Sequence, residues 1–99
     1  MELSFATRRL RSEALDRSCA ERSYGLTTAL ELHARLADLA AAVTVADLPR
    51  VTGWQVRGSE LRVRLSTDSV LACAPVPASE SVDWGRVHRL RVLGIEEAG

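Results

Sequence analysis

One histidine and five arginines in the C-terminal half of the chain are the side chains best suited to chemistry: Arg57, Arg62, Arg64, His88, Arg89 and Arg91. Arginine is permanently cationic, and its planar fork of donors fits phosphate or carboxylate bidentately. His88 is the member of this set that titrates near neutrality, so it is the expected general acid or base. Arg62 and Arg64 are two apart in an alternating segment, which places both on one face of a strand. With His88 or Arg57 nearby, they would form a phosphate-binding patch containing one titratable group. Alternation alone also predicts charged residues at these positions, on the solvated face of a half-buried strand. Arg91 is expected to pair with an acidic neighbour such as Asp83 or Glu60.

The segment Val82 to Ile95 holds three of these six residues. It sets an acidic-aromatic turn at Asp83-Trp84-Gly85 before a strand. In that strand Val87, Leu90, Val92, Leu93 and Ile95 are apolar on both alternation phases, which predicts burial on both faces. Trp84, flanked by apolar residues, is expected to anchor the core.

The elements that must position these groups follow from periodicity. Leu3 and Phe5 alternate with Glu2 and Ser4 and predict a short opening strand. Thr7 can cap a helix running from Arg8 to about Arg22, with an apolar stripe of Leu10, Ala14, Leu15 and Cys19. Gly25 supplies a left-handed terminator, and a second helix follows with Leu26, Leu30, His33, Leu36, Ala37, Leu39, Ala40 and Val43 on its buried side. Glu31 and Arg35 are four apart in the favourable order for an ion pair. His33 is expected to be a satisfied histidine at the core boundary. Val45 to Pro49 reads as a turn. From Trp54 the period is two: a strand at Trp54–Val56, a tight turn at Gly58-Ser59, a strand carrying Leu61, Val63 and Leu65, a turn at Thr67-Asp68-Ser69, and a strand from Val70 to Ala74. Residues 75–81 read as a loop, and Glu96 to Gly99 as a frayed tail. The order predicts an α+β domain, in which an N-terminal strand and a helical hairpin pack on a small, mostly antiparallel sheet.

Ninety-nine residues suit one domain, spanning 1–99. All 13 basic residues are arginine and are balanced by 13 acidic ones. That neutrality argues against strong nonspecific affinity for nucleic acid, while leaving room for a local basic face. Cys19 and Cys73 show neither metal-ligand nor redox spacing and read as small hydrophobes, so no metal site and no cofactor is expected. The chain has no apolar run long enough to cross a bilayer and no signal-type N-terminus, which makes the cytoplasm the expected location, with no membrane partner.

Four stretches carry a resemblance to a known family: Leu3-Ser4-Phe5-Ala6-Thr7-Arg8-Arg9-Leu10; Tyr24-Gly25; Arg35-Leu36-Ala37-Asp38-Leu39 followed by Thr44 to Pro49; and Val82 to Ile95. In this order and spacing the chain resembles the RelE/ParE toxin superfamily, in its HigB-like (proteic killer) branch of type II toxin–antitoxin systems. The resemblance implies a sheet flanked by two N-terminal helices, and a toxin that cuts ribosome-bound mRNA and so arrests translation and growth. It also implies a helix-turn-helix antitoxin as partner. Under it, His88, Arg62 and Arg64 are the expected catalytic residues, and Arg57, Arg89 and Arg91 the expected RNA contacts. The chain departs from the family where the chemistry would sit. A His-Glu-Leu element is replaced by Val56-Arg57-Gly58, an arginine by Val70, and an aromatic-histidine end by Glu96-Glu97-Ala98-Gly99. These departures leave a second reading open: a catalytically inactive toxin-fold protein that acts by binding its antitoxin or another target such as gyrase.

Overall fold

The computed structural model describes residues 1–49, 53–66 and 68–97. The alternating segments form one five-stranded sheet from β1 (Glu2–Phe5), β2 (Trp54–Arg57), β3 (Glu60–Ser66), β4 (Ser69–Pro75) and β5 (Arg89–Glu97). Its order is β1-β5-β4-β3-β2, antiparallel except where β1 runs parallel to β5. Helices α1 (Arg8–Leu15), α2 (Arg17–Tyr24) and α3 (Leu26–Ala41) lie between β1 and β2 in sequence and cover one face of the sheet. The α+β class and the opening strand followed by helices are as the sequence predicts.

The expected helix from Arg8 to Arg22 is two helices. Asp16 ends the first through its backbone N–H, which donates to Ser12 O at 2.9 Å. Its side chain begins the second by accepting from the Ser18 amide at 2.9 Å. An aspartate competes poorly for a helix interior and well for a cap, so the break falls there. Thr7 caps α1 as expected, with the Leu10 amide donating to its hydroxyl at 3.1 Å. The first turn of α1 then carries Arg8, Arg9 and Arg11 and no acidic residue, an unfavourable placement at the positive end of a helix dipole. Gly25 joins α2 to α3 at φ +85° and ψ 165°, a region open to glycine and costly for other residues.

The buried stripe of α3 is Ala29, Leu32, Leu36 and Leu39. Leu26, Leu30 and Val43, expected inside, are exposed, as is Leu15 at the end of α1. The helix is apolar on more than one side, and the sheet takes the stripe that meets Leu61, Val63, Leu65, Leu71, Leu90 and Val92. Arg35 does not reach Glu31; its Nε lies 2.9 Å from Asp38 Oδ2. After α3, Thr44 and Asp47 cap a single 3₁₀ turn, Val45–Asp47, at the expected turn.

β5 is buried on one face only. Leu90 and Val92 point to the helices, while Arg89, Arg91 and Leu93 are exposed. Val92 pairs with Cys73 and Gly94 with Ala72, so Leu93 is an extra residue at a β-bulge. The bulge explains the apolar residues on both phases: Ile95, one phase away from Leu90 and Val92, returns to the core side. Glu96 and Glu97 are paired with Val70 and Ser69 and are not a frayed tail; Ala98 and Gly99 lie outside the described residues. Pro75 is the buried last residue of β4 and not the start of the loop, and Ser69 is its first residue; Thr67 of the expected turn is outside the described residues. Trp84 sits in a 3₁₀ turn, Trp84–Arg86, and is partly buried against the core, as an anchor should be. No helix of the described residues is long and apolar enough to cross a membrane.

Candidate functional site

No described helix covers the side of the sheet opposite α1–α3, and register fixes what that side displays. Arg57 lies across from Glu60, and Gln55 across from Arg62. Arg62 is paired with Ala72, which is paired with Gly94; Arg64 is paired with Val70, which is paired with Glu96. Arg91, paired with Ala74, and Arg89 stand on the same open face of β5. The face is therefore two arginine-bearing flanks, β2–β3 and β5, separated by the small residues Ala72, Ala74 and Gly94.

Not every arginine is free. Arg62 Nη1 donates to Glu96 Oε2 at 2.9 Å and lies 3.5 Å from Glu60 Oε1. Because β4 separates β3 from β5, this pair must cross above Ala72, which is fully buried although no helix covers it. Arg89 Nε is 3.0 Å from Glu2 Oε2. Arg86, and not Arg91, takes Asp83, at 3.5 Å. Among the described residues Arg57, Arg64 and Arg91 have no carboxylate within ion-pair distance.

Arg57, Arg62 and Arg64 line one groove of about 410 Å³, together with Gly53, Trp54, Gln55 and Val70. The sequence reading brought the three arginines together but missed Trp54 and Gln55. The signal was available, since Gln55 is the cross-strand partner of Arg62 in a hairpin whose two-residue turn is fixed by Gly58 at φ +60°.

His88 is elsewhere. It precedes β5 beyond the row of Leu90 and Pro75, whereas Arg62 is level with Gly94 two strands over. Strand rise and spacing put the two on the order of 20 Å apart. His88 lines a separate cleft of about 180 Å³ with Ser79, Ser81, Asp83 and Arg86 among its neighbours. Its Nδ1 is 3.2 Å from Arg86 O, and a carbonyl can only accept, so Nδ1 carries the proton and Nε2 is left open. The cleft holds serine, histidine and aspartate without linking them. The Ser79 hydroxyl donates to Ser81 O at 2.9 Å, and Asp83 faces Arg86. His33 is structural, as expected: its Nε2 donates to Glu13 O at 2.9 Å.

The perturbed acids do not line the groove: Tyr24 is in the helical layer, and Cys73 is on the core side of β4. Burial, helped by the Glu13 carboxylate that accepts its hydroxyl at 2.8 Å, raises Tyr24 to about 12. Burial pushes the Cys73 thiol up to about 12 as well. Among the described residues no cluster of histidine, cysteine or carboxylate could hold a metal ion. The groove can thus hold an anion by charge and bidentate hydrogen bonds. Its lining among the described residues includes no histidine, cysteine or carboxylate to serve as a general acid or base. The chain matches no family model, no curated protein and no solved structure.

Proposed function

We propose that this protein is a toxin-type component of a type II toxin–antitoxin pair that acts by binding the backbone of RNA, with acid–base cleavage weakened or lost. The observation that carries this reading is the separation of its parts. Among the described residues the lining of the arginine groove of β2–β3 includes no histidine, cysteine or carboxylate, and His88 lies in another cleft at the far end of the sheet. The resemblance to the RelE/ParE superfamily supplies the toxin and antitoxin roles, and the α+β order of strand, helices and sheet supports it. Arg57, Arg64 and Arg91 would neutralise phosphates. Arg62, tied to Glu96 and Glu60, would shape the floor between them.

Induced expression and purified binding test this together. The wild type is compared with Arg57→Ala/Arg64→Ala and with His88→Ala for growth, for the integrity of translated mRNA and for affinity to a fluorescent single-stranded RNA. The expected result is salt-sensitive RNA binding that the double substitution abolishes and His88→Ala leaves intact, with mRNA uncut. Each arginine–phosphate contact adds about 0.7 to the slope of log affinity against log salt, so three contacts give a slope of roughly −2. Cleavage that depends on His88 would restore the nuclease reading. Growth arrest without RNA binding would point to another target, and neither effect would end the proposal.

A further inference from the structure

A second surface lies at the opposite edge of the sheet from the arginine groove. β1 is an edge strand whose inner side bonds β5, with the Glu2 amide donating to His88 O at 3.0 Å and the Ala6 amide to Val92 O at 2.9 Å. In a parallel ladder alternate residues bond the neighbour, so the N–H and C=O groups of Leu3 and Phe5 point outward. No partner for them exists among the described residues. A hollow of about 430 Å³ runs beside this edge, lined by Leu3 to Thr7 with Arg8 and Arg11. A second, of about 470 Å³, continues from the same two arginines along α1 to Ser12 and Leu15. Positions 8, 11, 12 and 15 form one stripe of α1, and Leu15 is 71% exposed at its end. Arg9, itself exposed, has Glu13 at 3.5 Å, whereas Arg8 and Arg11 have no acidic partner among the described residues.

We infer that the β1 edge and the Arg8–Arg11–Leu15 stripe form a docking groove for an extended acidic segment of a partner protein, added as a sixth strand beside β1. Leu3 and Phe5 supply main-chain hydrogen bonds, Arg8 and Arg11 select glutamate or aspartate side chains, and Leu15 takes an apolar residue beyond them. Charge decides between occupants. A second copy of this chain would bring the strand Glu2–Phe5, whose single carboxylate already pairs with Arg89, so it matches the two arginines poorly. The groove stands apart from the RNA-binding reading and does not depend on it.

The test uses the whole protein and three synthetic probes of about seven residues: one alternating glutamate and valine, one alternating lysine and valine, and a glutamate–valine peptide with a central proline. Binding is read by fluorescence anisotropy and amide exchange. The expected result is that the glutamate–valine peptide binds and slows exchange of the Leu3 and Phe5 amides. The lysine peptide should not bind, and the proline peptide, which lacks a donor, should bind more weakly. Exposed ion pairs are individually weak, but reversal turns attraction into repulsion, so Arg8→Glu/Arg11→Glu should weaken the glutamate peptide by about tenfold or more. The same double variant should gain affinity for the lysine peptide, which a variant that merely fails to fold cannot do. Several results would overturn the inference: no binding of any peptide, as expected if the arginines only guard the edge against pairing; protection mapping to the open sheet face; unchanged affinity in the double variant; or protection of Leu3 and Phe5 that rises with protein concentration without peptide, which would assign the edge to a second copy.

Discussion

Glu13 is the one buried charged residue among those described, 1% exposed inside the helical layer. Its Oε1 accepts the Tyr24 hydroxyl at 2.8 Å, and its Oε2 has Arg9 Nε at 3.5 Å but no hydrogen bond. Tyr24→Phe therefore strips a buried carboxylate of its one side-chain hydrogen bond. Hydrogen bonds to charged groups are worth about 1.5–3 kcal/mol, and part of the phenol is open to solvent, so a loss of about 2 kcal/mol is expected. In a domain of this size that lowers the melting temperature by on the order of 10 °C. The coupling is isolated by repeating the substitution in a Glu13→Gln background, where the acceptor is neutral and the loss should fall below about 1 kcal/mol. Urea unfolding at neutral pH measures all four proteins. The same bond has an alkaline signature. Burial first, and the Glu13 hydrogen bond second, hold Tyr24 at about 12 against 10 when unfolded. The folded state thus keeps the proton more tightly, the contribution is complete below pH 10, and it is lost as pH rises from 10 to about 12. With solvent screening the loss is about 1 kcal/mol, absent from Tyr24→Phe. Equal cost of Tyr24→Phe in both backgrounds, with unchanged alkaline behaviour, would refute this account of the Glu13 site.

Cys73 is fully buried between strands with its thiol held near 12, so iodoacetamide at pH 8 should label Cys19 in the native protein and Cys73 only after unfolding, as mass spectrometry would resolve. Gly25→Ala places a Cβ in open space but at φ +85°, so its cost is conformational, about 1–3 kcal/mol in chemical denaturation, with the α2–α3 junction exchanging amides faster.

The sheet was more legible than the helices. Alternation at Leu61, Val63 and Leu65 and the Gly58 turn located the β2–β3 hairpin, because a two-residue turn and one buried face leave little freedom of register. The break at Asp16 was hidden, since an aspartate within a run of good helix formers reads as a surface residue until its side chain is seen capping Ser18. For α3 the expected buried side holds at Leu36 and Leu39 but misses Ala29 and Leu32, because its apolar residues cover more than one side and only the sheet decides which side is taken. The candidate site was half legible. The spacing of Arg62 and Arg64 revealed a shared face, but pairing along a chain carries no information about His88, whose distance from them is set by strand order. Nor could spacing reveal that Glu96, read as part of a loose end, ties down Arg62 across an intervening strand.

The bulge at Leu93 has a consequence for length variation in this chain. Removing Leu93 alone would leave Leu90, Val92 and Ile95 in unbroken alternation and would keep Arg89, Arg91 and Glu96 on the outer side, with Val92 and Gly94 still opposite Cys73 and Ala72. β3 also has a register shift, between Arg64 and Ser66, but the extra residue there is Leu65, which is buried in the core, so its removal would cost a core side chain that removal of the exposed Leu93 does not. β5 thus carries a spare residue, and a shortened β5 would still hold Glu96 within reach of Arg62.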